Sequence, residues 1–548
     1  MPEYLSPGVY VEELDLGPKP IEAVATAVAA FVGFTEKAEM EREIGGELVT
    51  EDLVNKPQLI TNWTQYRQRF GDFIDGAYLP LSVYGYFNNG GSRCYVVSVK
   101  TIGKAQSALL GSDGKPYLIV QAKQSGFSGM RLRVKVDAPE PPKPATRGRA
   151  KAKEGEAAPP PVEEAGPASF TISVERQGLS GTWQSKPEWS YEATLEEVRQ
   201  DDVKKVEVLF KNNKVPELID IVVPEKAAPL AKMWPKTQQV SLNLEQKQLA
   251  APTSSEFRGD VAERTGVDGL AVLDDVTMVC VPDLMATPPG VALDLKMVKA
   301  VQTGMIAHCE QMGDRVAVID PPPDMTPQEI KKWRMDTAGY DSSYAAMYYP
   351  WIEVDDPAQN RTILMPPSGH VAGVWARSDN TRGVHKAPAN EVVQGAVSVG
   401  YNTTKGEQDG LNPIGVNCIR AFPGRGIRIW GARTLSSNPS WKYLNVRRLF
   451  NMVEKSIENG TQWVVFEPND QFLWTRVRRD VSGFLSMLWS EGALFGGSPG
   501  EAFFVKCDAE NNPAETRDMG RLYIDIGMCP VKPAEFVIFR ISQWASGG

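Results

Sequence analysis

Asp283, Asp320 and His370 are the side chains of this 548-residue chain whose types and positions could support acid–base chemistry. Each aspartate directly follows an apolar run that is predicted as a buried strand. In α/β enzymes, ligands bind just beyond the carboxyl ends of neighbouring parallel strands. A histidine close to these carboxylates could take part in a proton relay. These three residues define one alternative function, that of an α/β-fold hydrolase or transferase.

The other groups that such an enzyme needs are missing from the sequence. It contains neither a GxxxxGK[ST] phosphate loop nor a GxSxG nucleophile elbow. His308 lies within a predicted helix, His370 and His385 lie in predicted loops, and no ligand stands at metal-binding spacing from them. Asp320 precedes three prolines and is most simply a turn-forming cap. We therefore predict structural roles for these residues and no catalytic, cofactor-binding or metal site.

The two aspartates are positioned by a predicted strand–helix–strand unit. Residues 276–283 and 315–320 are the strands, and residues 293–312 form the helix between them. This spacing predicts a βαβ unit with parallel strands and a right-handed crossover. The elements predicted after it are a strand at 427–434, a helix near 445–459, a strand at 462–466 and a helix near 470–491.

An earlier unit of helices and strands precedes a change in composition. It comprises a buried strand within 23–35, helices at 63–71 and 78–87, and a strand at 93–99. Residues 138–168 then consist almost wholly of Pro, Ala, Gly, Lys, Arg and Glu, so they cannot bury enough surface to offset their ordering entropy. This segment joins two alternating strands, at 130–136 and 170–174. It is therefore predicted as a disordered loop in a β-rich insertion.

Both ends of the chain contain short segments with strand character. Prolines and glycines flank the first, which excludes a helix and predicts an extended arm. A single strand cannot bury itself, so each arm must pair within its own chain or with a neighbouring one. The sequence leaves both possibilities open. The candidate arm residues are Val9, Tyr10, Val11 and Glu12 at the N-terminus, and Phe536, Val537, Ile538 and Phe539 at the C-terminus.

Two predicted C-terminal helices combine an apolar face with many charges. In the first, Val446, Leu449, Phe450, Val453 and Ile457 follow a helical spacing. The remaining charged positions are predicted to lie outside this face, where solvation is their simplest role. They are Arg447, Arg448, Glu454, Lys455 and Glu458 in the first helix, and Arg476, Arg478, Arg479 and Asp480 in the second.

Length, charge and cysteine usage limit the function classes. A chain of this length predicts several domains. Its net charge of −9 and pI near 5.3 argue against a nucleic-acid-binding protein. No apolar run reaches the roughly 18 residues of a membrane span, and the acidic N-terminus does not resemble a secretory signal. Six scattered cysteines predict reduced thiols in a protein made in the cytoplasm.

Several long motifs, in order, resemble the contractile tail sheath proteins of phage tails, R-type pyocins and extracellular contractile injection systems. The resemblance covers roughly the first 35 residues and residues 343–541. The motifs are YLSPGVYVEE at 4–13, SYAAMYYPWIEVDD at 343–356, PPSGHVAGVWARSDNTRGVHKAPAN at 366–390, LNPIGVNCIRAFPGRGIRIWGARTL at 411–435, WKYLNVRRLFNMVEKSIENGTQWVVFEPND at 441–470 and GRLYIDIGMCPVKPAEFVIFRI at 520–541.

The resemblance implies an α/β, multidomain (α+β) fold. Its C-terminal α/β sheath domain is completed by the N-terminal segment, and it carries an inserted β-rich variable domain and extended terminal arms. The domains implied are an N-terminal arm (1–22), the N-terminal part of the sheath domain (23–100), the insertion (101–265), the α/β sheath domain (266–400), a C-terminal domain (401–530) and a C-terminal arm strand (531–548).

The function that the resemblance implies is mechanical. Copies of the chain would form stacked six-subunit rings around an inner tube, and arms would add strands to sheets of adjacent subunits. Contraction would then drive the tube through a target envelope. The expected partners are the chain itself, the tube protein, and baseplate and terminal cap proteins, without direct nucleic-acid contact. Assembly is expected in the cytoplasm, followed by incorporation into a phage tail or tail-like particle.

The resemblance also implies that a charged C-terminal helix holds the tube. The best match in this chain is the helix with Arg447, Arg448, Glu454, Lys455 and Glu458, and the helix with Arg476 to Arg479 is second. A third interpretation makes region 100–260 a surface-binding module, because no motif of the resemblance falls within it.

Overall fold

The structure, a computed structural model, describes residues 20–44, 47–139, 169–178, 180–200, 203–224, 229–359 and 361–540. The predicted arm residues Val9, Tyr10, Val11 and Glu12 lie outside the described residues, as does most of the loop predicted at 138–168. The domain bounds given above stay predictions.

The described part of the chain contains strands throughout. They are β1 (Ala29–Thr35), β2 (Glu39–Ile44), β3 (Glu47–Asp52), β4 (Gln58–Ile60), β5 (Cys94–Thr101), β6 (Lys104–Leu110), β7 (Pro116–Ser125), β8 (Leu132–Asp137), β9 (Phe170–Gln177), β10 (Trp183–Gln200), β11 (Val203–Phe210), β12 (Ile219–Val222), β13 (Gln238–Ser241), β14 (Met278–Cys280), β15 (Val316–Ile319), β16 (Ala345–Tyr349), β17 (Ile352–Asp356), β18 (Arg361–Met365), β19 (Glu391–Val392), β20 (Ala396–Val399), β21 (Val416–Phe422), β22 (Gly426–Ile429), β23 (Phe503–Lys506) and β24 (Asp525–Met528).

Helices alternate with these strands mainly outside the insertion. They are α1 (Trp63–Phe70), α2 (Leu79–Asn88), α3 (Leu230–Met233), α4 (Gln246–Leu249), α5 (Ser254–Arg258), α6 (Leu295–Met312), α7 (Pro327–Lys332), α8 (Ser368–Arg382), α9 (Lys405–Leu411), α10 (Leu444–Gly460), α11 (Gln471–Ser490), α12 (Pro499–Ala502) and α13 (Ala514–Asp518).

A nine-stranded sheet forms the centre of the fold, in the order β19-β22-β21-β16-β15-β14-β1-β5-β4. Its strands from β21 to β5 are parallel, and the predicted βαβ unit is confirmed as β14–α6–β15. All seven residues of β1 are buried, as expected for a strand covered on both faces. Alternate residues of β1 belong to different cores: Ala30 and Val32 lie on the α6 side, and Phe31 lies on the side of α2 and α8.

Glycines of the 366–390 motif allow α8 to pack very closely on α2. A Cβ atom at Gly369 would lie 2.5 Å from Ser82 Cα, and one at Gly373 would lie 2.6 Å from Tyr86 O. Such contacts are possible only without side chains. The motif therefore builds a buried helix pair against the sheet.

The insertion forms two antiparallel sheets. One has the order β11-β10-β9-β8-β13, and the other has the order β12-β7-β6. Strands β8 and β9, which flank the predicted loop, pair directly with each other from Leu132 opposite Arg176 to Asp137 opposite Thr171. The two predicted strands are thus confirmed, and they are neighbours in one antiparallel sheet; residues 140–168 between them lie outside the described residues.

The C-terminal part forms its own core around α10, α11 and the small β23–β24 sheet. The apolar face of α11 is buried, as its helical spacing predicts; it consists of Leu473, Val477, Val481, Phe484, Leu485 and Leu488. The predicted strand at 462–466 is wrong: residues Gln462–Val464 form a 3₁₀ turn, and Phe466 is fully exposed. Its apolar residues mimic a strand, but no ladder joins them to another strand.

Two features are absent from the described ranges. No helix there is both long and apolar enough to cross a membrane. No group of three or more His, Cys, Asp or Glu side chains there is arranged to hold a metal ion.

Candidate functional site

Asp283, one of the residues of the enzyme alternative, connects elements of the core. Its carboxylate is buried and accepts backbone hydrogen bonds from Phe34 (2.6 Å), from Tyr78 and from Leu79, where α2 begins. Burial raises the pKa of Asp283 to about 7, although the three N–H donors favour the ionised form. The carboxylate thus joins the end of β1 to the start of α2.

Asp320 and His370 also have structural surroundings. Asp320 is buried after β15 and accepts a hydrogen bond from the backbone N–H of Ser368 at the start of α8 (3.0 Å). Burial raises the pKa of Asp320 to about 7 and lowers that of His370 to about 4. His370 lies in α8 and not in the loop predicted for it, and its ring lies against Gly85, where a Cβ atom would be 2.3 Å away. These contacts support the predicted structural roles.

The expectation that Arg447 and Arg448 lie on an outer face of α10 is wrong. Both side chains are buried. Arg447 is held between the Trp441 and Tyr344 rings, and its Nε donates to Asn451 Oδ1 (2.6 Å). These arginines therefore make their contacts inside the subunit.

Arg448 forms the centre of a buried polar cluster. Its guanidinium donates to both carboxylate oxygens of Asp379 in α8, over 2.9 and 2.5 Å. Arg448 Nη2 also donates to Thr26 O (3.0 Å), and Thr26 Oγ1 donates to Asp379 (2.7 Å). The guanidinium lies 4.8 Å from the Trp375 ring centre. Three distant parts of the chain meet here.

The other predicted α10 residues have mixed surroundings. Lys455 is mostly buried and lies within 4 Å of carboxylates of Asp274, Asp314 and Glu458. The side chains of Glu454 and Glu458 are more than half exposed. Two acidic side chains are therefore the exposed part of the predicted set.

α11 presents the exposed basic surface that α10 lacks. Arg476, Arg478 and Arg479 are exposed, opposite the buried apolar face of the same helix. The Arg476 guanidinium lies 3.9 Å from the Trp463 ring centre, which orients it. Phe466 and Phe472, at the start of this surface, are also exposed. We call Phe466, Phe472 and the three arginines the α11 surface.

The C-terminal segment leaves the folded body at Glu535. Phe536, Val537, Ile538 and Phe539 are between 69 % and 83 % exposed. Within the described residues they join no strand of their own chain. The small β23–β24 sheet lies in the same domain, and no other described strand pairs with either of its two strands.

Two family models match consecutive parts of the chain. The model of the phage tail sheath protein central domain matches residues 262–435, and that of the phage tail sheath C-terminal domain matches residues 436–543. Together they cover just over half of the chain. The chain belongs to the contractile tail sheath family. The resemblance found in the sequence motifs is thereby confirmed.

Individual relatives agree with this assignment. The tail sheath protein of Vibrio phage KVP40 is 26% identical over 37% of this chain and 30% of its own length. That of Salmonella phage ViI is 29% identical over 37% of this chain and 32% of its own length. The matched region thus spans about a third of these phage proteins.

A solved structure matches nearly the whole chain. The PVC sheath of an extracellular contractile injection system, determined by cryo-EM in the contracted state, has a TM-score of 0.56 and 23% sequence identity. The match covers 99% of both chains. It shows that the α/β multidomain fold, including the insertion, is that of a sheath protein.

Sequence reasoning missed Asp379 and Thr26, the partners of Arg448. Asp379 lies in a motif otherwise rich in small and apolar residues, and a charge in such a buried helix signals a buried partner. The sequence thus indicates that Asp379 has a buried partner, but which residue this partner is depends on the tertiary fold.

We expect Asp379→Ala to lower the free energy of unfolding by about 3–5 kcal/mol, because it leaves the buried Arg448 charge without its carboxylate. The measurement is urea denaturation of the purified subunit. Glu510→Ala is the matched control, since it removes an exposed carboxylate paired with Lys506 and should change stability little. Equal effects of the two substitutions would contradict the role of the buried cluster.

Proposed function

We propose that this chain is the structural subunit of a contractile sheath, which assembles as stacked six-subunit rings around an inner tube. Contraction of the sheath drives the tube through a target envelope. The observation that carries the proposal is the exposed apolar segment Phe536–Phe539, together with a two-stranded sheet that no other described strand joins.

The arms link neighbouring subunits by strand addition to β23–β24. An isolated two-stranded sheet is only marginally stable in water, and its free edges offer unpaired backbone donors and acceptors. The segment Phe536–Phe539 has the β-branched and aromatic composition of a strand. The N-terminal residues Val9, Tyr10, Val11 and Glu12 supply a second strand of the same kind. The occupants of the two edges are therefore arms of other copies of the chain.

The strength of one arm contact is modest. Each backbone hydrogen bond contributes about 1 kcal/mol net, so a strand of a few residues contributes only several kcal/mol. Repetition over open, head-to-tail contacts produces a continuous helical mesh. The arms thus keep rings connected while the bodies of the subunits rearrange. The extended sheath is kinetically trapped. Tighter packing between subunits in the contracted sheath supplies the work of contraction.

The α11 surface contacts the inner tube. It carries exposed arginines on a rigid helix, whereas the two arginines of α10 are buried. Each exposed charge pair stabilises a contact by only about 0–1 kcal/mol. Many such pairs can therefore hold a tube together, and contraction can still break all of them. An arginine-rich surface favours an acidic partner surface.

Baseplate and terminal cap proteins bind the ends of the sheath.

The particle assembles in the cytoplasm and becomes part of a phage tail or a phage tail-like particle. The chain acts without catalysis, cofactor or metal. Its matched relatives are phage tail and injection-system components, and the three residues of the enzyme alternative have structural contacts. No observation favours the surface-binding interpretation of the insertion over a structural one.

Deletion of residues 536–548 should leave a folded monomer that forms few or no cylinders. The remaining body keeps its cores, but the rings lose one of their backbone links. Negative-stain microscopy of the purified protein checks this, with the full-length chain as the control. Cylinders of normal number and length from the truncated chain would contradict the proposed strand addition, and monodisperse full-length monomers would contradict the sheath function itself.

Arg478→Glu combined with Arg479→Glu should give cylinders that contain little or no tube, because two attractive charges of the α11 surface become repulsive. The control is Lys331→Glu with Lys332→Glu, an equal charge reversal on exposed residues of α7. The fraction of tube-filled sheaths is counted after co-assembly. Normal filling in the α11 variant would assign the tube contact to another surface.

A further inference from the structure

The described N-terminal segment runs along α10 in the opposite direction to the helix. Three contacts fix its course: Arg448 Nη2 donates to Thr26 O (3.0 Å), the Val24 N–H donates to Ser456 Oγ (3.0 Å), and Ile21 lies against Gly460, where an added Cβ would be 2.7 Å from Ile21 Cγ1. Followed backwards from Thr26, the chain therefore reaches the C-terminal end of α10. The N-terminal arm begins there.

The C-terminal arm begins at the other end of the same helix. Asn445 Nδ2, in the first turn of α10, donates to Val531 O (3.1 Å). Four residues later, the Glu535 carboxylate accepts hydrogen bonds from three side chains: Arg433 Nε and Nη2 (2.8 and 2.6 Å), Asn412 Nδ2 (2.7 Å) and Tyr443 OH (3.1 Å). Tyr443 directly precedes α10. We call Glu535, Arg433, Asn412 and Tyr443 the Glu535 socket.

The Glu535 socket marks a sharp boundary between body and arm. Arg433 is buried and engages Glu535 through two parallel hydrogen bonds, the strongest geometry for a carboxylate. The next residue, Phe536, is 70% exposed. A carboxylate with donors from three separate chain positions fixes both the place and the direction in which the arm leaves.

α10 is long enough, and buried enough, to connect rigidly the two positions at which the arms leave the body. Its 17 residues span about 25 Å at a rise of 1.5 Å per residue. Ten of them are buried, including Arg447 and Arg448, so the helix is embedded in the body over most of its length.

We infer that α10 carries tension between the two arms, with the Glu535 socket anchoring one arm and the Arg448–Asp379–Thr26 cluster anchoring the other. This inference rests on the proposed function, in which both arms bind neighbouring copies. A pull on either arm then reaches the opposite arm through α10, by way of the hydrogen bonds of Tyr443 and Asn445 at one end and of Arg448 and Ser456 along the helix. The mesh stays connected during contraction because the force passes along α10 and not through the sheets of the insertion.

Glu535→Gln tests this inference, since it removes the charge and preserves the shape. In the monomer, amide exchange of residues 531–535 should become about tenfold faster or more, because a charged anchor is lost, with α10 unchanged. In assembled particles, controlled shear should break several-fold more sheaths than in the wild type. Glu510→Gln, which neutralises an exposed carboxylate of the same domain, should match the wild type in both measurements.

The outcomes separate the inference from the proposed function. Wild-type protein that forms no cylinders would overturn both. Wild-type cylinders with equal breakage in Glu535→Gln would overturn the inference alone. If Glu535→Gln does not fold, Tyr443→Phe replaces it, since this change removes one hydrogen bond to Glu535 and keeps the ion pair. Increased breakage in this variant supports the anchor, and unchanged breakage overturns it.

Discussion

The buried ion pair between Arg448 and Asp379 constrains the whole subunit. Charges in a protein interior must be paired, because removal from water costs several kcal/mol per ion. Here the pair joins α10 to α8, and Thr26 adds the N-terminal segment through two further hydrogen bonds. The nine-stranded sheet, which α8 covers, and the C-terminal domain, which contains α10, are thereby held in one arrangement.

A closed body with an exposed C-terminal segment accompanies this constraint. The core is closed on both faces of the central sheet, and Asp283 and Asp320 fix the starts of α2 and α8 on it. Two features lie outside this closed core: the β23–β24 sheet, which no other described strand joins, and the exposed apolar segment Phe536–Phe539. These are the features on which the proposed strand addition between copies of the chain rests.

Local patterns predicted much of this fold, whereas the roles of single charges depended on tertiary contacts. The βαβ unit, α10 and α11 follow from hydrophobic spacing within about 20 residues, and the structure confirms them. The expectation that Arg447 and Arg448 lie on an outer face was wrong, because their burial depends on aromatic rings and on Asp379, which is distant in sequence. The strand predicted at 462–466 failed because strand formation needs a neighbour, which apolar composition cannot supply.

A cryo-EM map of the assembled sheath tests the exchange of arms at the level of the backbone. We expect Phe536–Phe539 of one subunit to lie beside β23 or β24 of a neighbouring subunit, with continuous main-chain hydrogen bonds. Density showing both arms paired within their own subunit would contradict strand addition and leave the proposed mesh without its links.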